Sequence, residues 1–134
     1  GQQHFDYLID KGDISTEAIE MVRGRSFYKS IIIVDEASNC DVKTMKTLVS
    51  RIGEGSKLII CGDTASWQQD IKGVSGLAWL LETIHTVRKA NPEWLTDEDR
   101  DNLYNGIGVV KFTKDDCVRS GISALFVKIF DDYE

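Results

Sequence analysis

The sequence predicts an α/β fold: a parallel sheet with flanking helices. Two stretches and the segment between them point there. Ile31-Ile32-Ile33-Val34 is an unbroken β-branched apolar run that ends in Asp35-Glu36, and Ser56-Lys57-Leu58-Ile59-Ile60-Cys61-Gly62-Asp63 repeats the form, an apolar run closed by an acid. Runs without polar alternation are what strands buried on both faces of a parallel sheet look like. Between them Val42, Met45, Leu48, Val49 and Ile52 recur at helical spacing, and an amphipathic helix there is a crossover of the length a β-α-β unit needs.

The remaining elements follow in chain order. Residues 1–23 are the least informative: Phe5, Tyr7, Leu8 and Ile9 are loosely apolar, and Ala18-Ile19-Glu20-Met21-Val22 is readable as helix or strand. Arg23-Gly24-Arg25 places two cations around a glycine just before the first strand. It reads either as a basic turn or as a source of one arginine, Arg25 being the candidate, that faces phosphate or a carboxylate. Ser38-Asn39-Cys40-Asp41 supplies helix N-cap candidates, and Gly53 and Gly55 stop the crossover helix. Thr64 to Val74 is a polar loop containing Trp67, Gln68 and Gln69. Above a strand end such a loop suits a phosphate sensor or substrate contact, and equally a solvated connection with one tryptophan packed down.

Leu77, Leu80, Leu81, Ile84 and Val87 make the apolar face of a second helix, which Asn91-Pro92 breaks. Glu93 to Asn105, rich in acids, reads as a surface excursion with one helical turn capped by Thr96. Ile107-Gly108-Val109-Val110-Lys111-Phe112 predicts a third strand. Ile122, Leu125, Ile129 and Tyr133, with Phe126 and Phe130 beside them, predict an amphipathic closing helix. Arg119 precedes that helix, where the helix dipole favours anions. An arginine at that place is open to a task elsewhere.

Composition bounds the function. The chain has 134 residues, enough for one domain, and a formal net charge of −6, which argues against a broadly basic, nucleic-acid-coating surface. A local basic groove is still compatible with it. Cys40, Cys61 and Cys117 are odd in number and far apart, with neither a disulfide framework nor a metal-type pair, and a reducing cytoplasm is the expected compartment. No signal-peptide pattern and no apolar run of membrane-spanning length is present. His4 and His85 are isolated from each other in sequence and read as ordinary histidines rather than ligands.

Parallel strands joined by a crossover place their carboxyl ends at one edge of the sheet, where open α/β folds bind ligands. Asp35, Glu36 and Asp63 are therefore expected at a common rim. Nucleoside triphosphatases use an acid pair of this kind as a Walker B element: the first acid holds Mg²⁺ and the second polarises the attacking water. The bland alternative is a buried strand with a solvated acidic end.

Several short motifs agree in order with one family. Arg23-Gly24-Arg25-Ser26-Phe27, Ile32-Ile33-Val34-Asp35-Glu36-Ala37-Ser38-Asn39, Met45-Lys46, Arg51-Ile52-Gly53-Glu54-Gly55-Ser56-Lys57, Gly62-Asp63, Ser75-Gly76-Leu77 and Asp116-Cys117-Val118-Arg119-Ser120-Gly121 resemble PhoH-like ATPases, RecA-like P-loop proteins related to the ATPase core of superfamily 1 helicases. The resemblance runs from about Met21 to Glu134. It implies a RecA-like P-loop NTPase fold, ATP and Mg²⁺ as ligands, and a set of roles. Asp35 resembles the Mg²⁺ acid, Glu36 the water-activating residue, Asp63 the acid of the sensor-type Gly-Asp motif, and Arg119 the arginine finger. In RecA-like assemblies that arginine is often donated to a neighbouring subunit's ATP, so a homo-oligomer is implied. RNA or single-stranded DNA is the implied coupled partner, with no membrane involvement.

Two departures from the family pattern matter. Ser66 stands where relatives carry a glutamine three positions after the Gly-Asp aspartate, so either Gln68 takes that role or γ-phosphate sensing is altered. No Gly-x-x-x-x-Gly-Lys-Ser/Thr occurs in the 134 residues, so the backbone nest and lysine that hold the β- and γ-phosphates are missing. In the family that loop precedes the stretch seen here. Residues 1–134 are accordingly read as a single or partial domain, the C-terminal part of a PhoH-like ATPase domain. Two other readings stand beside it: a P-loop-less RecA-like scaffold that contacts protein or RNA without hydrolysing ATP, and a phosphoacceptor receiver domain, which also collects acids at strand ends.

Overall fold

Ile31–Val34 (β1) and Lys57–Ile60 (β2) pair in parallel, with Ile31 opposite Lys57 and Val34 opposite Ile60. The structure, a computed structural model, describes residues 1–22, 24–64, 70, 72–113, 116, 118 and 121–133, the side chains of residues 20, 131 and 133 excepted. Around the strands the chain places helices α1 (Gln2–Lys11), α2 (Val42–Val49), α3 (Gly76–Ala90), α4 (Asp97–Asn105) and α5 (Gly121–Tyr133), with short 3-10 turns at Ile19–Val22 and Ala37–Asn39.

The crossover is built as its residues dictate. Asp41 caps α2, its carboxylate accepting the Thr44 amide at 2.6 Å. Met45 and Leu48 are the buried face of α2, and they meet Val34, Ala37 and Leu77 in one core that also takes in Val22 and Cys40. The helix ends at Val49, earlier than the two glycines predict, because Ile52 leaves it to bridge to Phe27. Ser75 caps α3 by accepting the Leu77 amide at 3.2 Å. Just behind that cap Gly76 is required by closeness: a Cβ there would lie 2.6 Å from the Asp41 carbonyl and 2.8 Å from Met45 Cβ. The contact lets α3 start directly against the head of α2.

Three expectations need correction. The strands are not buried on both faces. Ile32, Val34, Leu58 and Ile60 pack toward α2 and α3, while Ile31 and Ile33 are 72% and 66% exposed, because among the described residues no layer covers that side. Ile107 to Phe112 is not a strand: Val109, Val110 and Phe112 are exposed, and the sheet among the described residues has two strands. A strand's amides and carbonyls need a ladder partner, and this segment has none there. Finally, the acidic excursion is more than one turn. α4 spans 9 residues, and Thr96 forms a reciprocal capping box with Asp99 at its start.

α4 folds back on α3 through polar contacts. The Arg88 guanidinium donates to the Leu103 and Ile107 carbonyls at 2.6 and 2.7 Å, and the Tyr104 hydroxyl donates to the Arg88 carbonyl at 2.7 Å. These bonds satisfy the Leu103 carbonyl in the last turn of α4, the Ile107 carbonyl just beyond it and the Arg88 carbonyl in the last turn of α3. By contrast α1 buries none of its residues, and the predicted apolar stripe of α5 is present but exposed at Ile122, Leu125, Phe126, Ile129 and Phe130.

Candidate functional site

The carboxyl end of β1 departs from regular pairing where the acids begin. The Cys61 amide donates to the Val34 carbonyl at 2.8 Å, but the next bond back, to the Cys61 carbonyl at 2.9 Å, comes from Ala37. A regular parallel ladder would take that donor from Glu36, so the chain carries one extra residue at this point. The Glu36 amide, released from the ladder, donates instead to the Asp35 carboxylate at 3.0 Å. Glu36 itself adopts a left-handed conformation with φ 52°. A glutamate in that region is strained by about 1 kcal/mol or more. Such strain persists only where the surroundings over-determine it, and it clusters at functional sites.

The turn is over-determined from below. Ala37 and Ser38 are fully buried, and the Asn39 amide closes a 3-10 bond onto the Glu36 carbonyl at 3.0 Å. Gly62 passes so close that a Cβ on it would lie 2.8 Å from the Ser38 nitrogen and 2.8 Å from Leu77 Cδ2. The glycine of the Gly-Asp pair therefore lets β2 run under the acidic turn. Among the described residues the buried Ser38 hydroxyl has no hydrogen-bond partner.

Asp35 and Glu36 stand exposed immediately past β1, and Asp63, also exposed, stands three residues past β2. Because the strands are parallel and in register, all three lie beyond the same edge of the sheet. Among the described residues, no three carboxylate, imidazole or thiolate groups gather closely enough to cage a metal ion. Mg²⁺ needs no such cage; it binds through one or two carboxylates plus phosphate oxygens and water, and the exposed Asp35 carboxylate fits that donor set. The chain's residues do not supply a triphosphate cradle, since the glycine-rich loop and its lysine are absent from the sequence.

Arg25 is not brought to that edge. Its guanidinium pairs with the Glu17 carboxylate and lies over the Phe27 ring, 5.5 Å from the centroid. It precedes β1, and the whole of that strand, at about 3.3 Å per residue, lies between it and the acids. Gln68 and Arg119 lie outside the described residues. Asn39, read from sequence as an N-cap candidate and part of the family motif, has a tether that no pattern announced: its side chain accepts the Asp70 amide at 2.8 Å and so ties Asp70, after β2, to the acidic turn. A lone asparagine after a strand has no pattern that announces a partner 31 residues away.

A sequence model of the family described as PhoH-like protein matches residues 1–103 of this chain. The chain belongs to the PhoH-like family. That family has a P-loop NTPase fold, and the parallel pair with flanking helices is part of such an architecture. Among curated PhoH-like relatives, the PhoH-like protein of Bacillus subtilis (strain 168) is 31% identical over 133 residues, covering 98% of this chain and 36% of its own length. Protein PhoH of Escherichia coli (strain K12) is 30% identical over 111 residues, 83% of this chain and 27% of that protein. Protein PhoH2 of Bacillus subtilis (strain 168) reaches 48% identity over 52 residues, 39% of this chain. The chain thus spans about a third of the length of the first of these relatives. No helix among the described residues is long and apolar enough to cross a membrane.

Proposed function

We propose that the protein carrying this chain hydrolyses ATP with Mg²⁺, and that this chain supplies the metal-holding and water-activating side of the site. The observation that carries the reading is the turn after β1. Asp35 holds the amide of Glu36, and Glu36 is kept at φ 52° beyond the sheet's carboxyl edge, the edge at which P-loop folds bind their ligand. In this reading Asp35 holds Mg²⁺, which when bound neutralises charge on the phosphates. Glu36 accepts the proton of the attacking water, and Asp63 orders the groups above β2. Gln68 is assigned to γ-phosphate sensing and Arg119 to stabilising the transferring phosphoryl group, from a neighbouring copy of the chain. These two roles, together with coupling to RNA or single-stranded DNA and a cytoplasmic site of action, rest on family resemblance. Arg25, engaged by Glu17, has no geometric support for a phosphate contact.

The phosphate-holding loop is not among the 134 residues, and the chain by itself is expected to be inactive. The same absence favours a second reading, in which the RecA-like scaffold contacts protein or RNA without turnover. Glu36→Gln in the protein carrying this chain separates the two. Losing the general base lowers turnover by about 10²-fold or more while Mg²⁺-ATP still binds. Turnover within roughly tenfold of wild type removes Glu36 from that role, and a wild-type protein that neither binds nor hydrolyses ATP leaves the scaffold reading in place.

A further inference from the structure

Asn39 links two parts of the site that are distant in sequence. Its backbone amide donates to the Glu36 carbonyl at 3.0 Å, and its side chain receives the Asp70 amide at 2.8 Å. A backbone N–H can only donate, so the atom facing it is the amide oxygen, Oδ1. Two hydrogen bonds thus run in series from Glu36, through Asn39, to the middle of the loop that joins β2 to α3. The ends of that loop rest on the same turn. The Ala37 amide holds the Cys61 carbonyl at 2.9 Å, and the Gly76 amide donates to the Cys40 carbonyl at 2.7 Å beside the Asp41–Ser75 bridge. The loop is fastened before, within and after its span to residues 37–41.

We infer that Asn39 is a positioning residue that couples the loop following β2 to the strained glutamate after β1. The inference rests on the ATPase reading for its catalytic consequence, but the tether itself is independent of that reading. Glu36 has no glycine's freedom at φ 52°, so its geometry depends on what holds its carbonyl side. Two groups do so: the Ala37 amide, in the same peptide, is bound to the Cys61 carbonyl, and the Asn39 amide is bound to the Glu36 carbonyl; of these only Asn39 has a side chain that is itself held, by Asp70. Without the Asp70 bond the Asn39 side chain is released, the hold that its backbone amide keeps on the Glu36 carbonyl weakens, and the water-activating carboxylate is less firmly placed.

The test compares Asn39→Ala, which removes the acceptor, with Asn39→Asp, which keeps an oxygen in its place, in the protein carrying this chain. Two readouts are taken: steady-state ATP turnover, and hydrogen exchange at the Asp70 amide. Losing one hydrogen bond of about 1 kcal/mol predicts exchange at Asp70 faster by about fivefold in Asn39→Ala, with kcat falling by a similar factor or more and KM for ATP nearly unchanged. Asn39→Asp restores both. A kcat unaltered in Asn39→Ala overturns the coupling, as does an Asn39→Asp protein whose Asp70 amide is protected but whose kcat stays low. If the wild-type protein has no turnover, the ATPase reading fails and with it the catalytic consequence. Exchange then decides the tether alone: faster exchange in Asn39→Ala supports it, and unchanged exchange overturns it.

Discussion

The two faces of the β1–β2 sheet are made of the same residue types and have opposite fates. On one, Ile32, Val34, Leu58 and Ile60 lie against α2 and α3; on the other, Ile31, Ile33 and Ile59 are exposed. Strand geometry makes this division automatic, since successive side chains point to opposite faces. What it cannot do is decide which face is covered. Cover comes from the crossover helix and from α3, whose start is drawn onto α2 at Gly76. The difference teaches that an unbroken apolar run records the burial a fold can provide, while actual burial depends on which layers are present.

The largest effect expected of this asymmetry is at Met45, fully buried under the closed face. Met45→Ala leaves a cavity where α2, α3 and the sheet meet, and it should lower the unfolding free energy by about 2–5 kcal/mol in denaturant titrations. A loss under about 1 kcal/mol would mean the closed face is loosely packed.

A paired substitution sharpens the comparison. Ile32→Ser, on the closed side, should cost about 2 kcal/mol, whereas Ile33→Ser in this 134-residue chain should change stability by about 0.5 kcal/mol or less. If the two cost the same, the open face is covered in solution, and the contrast between faces disappears.

The smallest effect concerns the α3–α4 hairpin, where polar bonds from Arg88 and Tyr104 join the two helices beside a single buried apolar residue in their connection, Leu95. The Thr96 hydroxyl and then its amide, both donating to Asp99, hold that carboxyl below its ordinary value of 3.8. A depressed carboxyl contributes stability that is complete above the unfolded-state value and is lost as pH falls through the lower, folded one. Acid below 3.8 should therefore loosen the start of α4, read as faster amide exchange at Asp99, while amides of the apolar α2–α3 contact stay protected. Asp116, lowered by the Thr113 amide and hydroxyl, should release its local turn in the same range. Equal loss of protection in hairpin and core would show that they open as one unit.

Much of the fold was legible because local chemistry specified it. Asp41 and Ser75 cap the helices that follow them, Asn91-Pro92 ends α3 at Ala90, and Thr96 caps α4. The acids follow β1 and β2 toward one edge because those strands pair in parallel. Ile107 to Phe112 misled because β-branched and aromatic content measures fitness for a sheet, not the presence of a neighbour to pair with. Arg25 misled for a related reason: a cation near a motif in sequence is drawn to the nearest carboxylate in space, here Glu17.

By itself the sequence determined β1 and β2, the crossover, the caps and the pair of acids, since each follows from an apolar run, from periodicity or from a side chain acting on backbone within a few residues of itself. Only the tertiary structure decided the extra residue after Val34, the left-handed Glu36, the open face of the sheet and the bond from Asp70 to Asn39. Those depend on backbone groups far apart in the chain competing for the same partners, and no local pattern records the outcome of that competition.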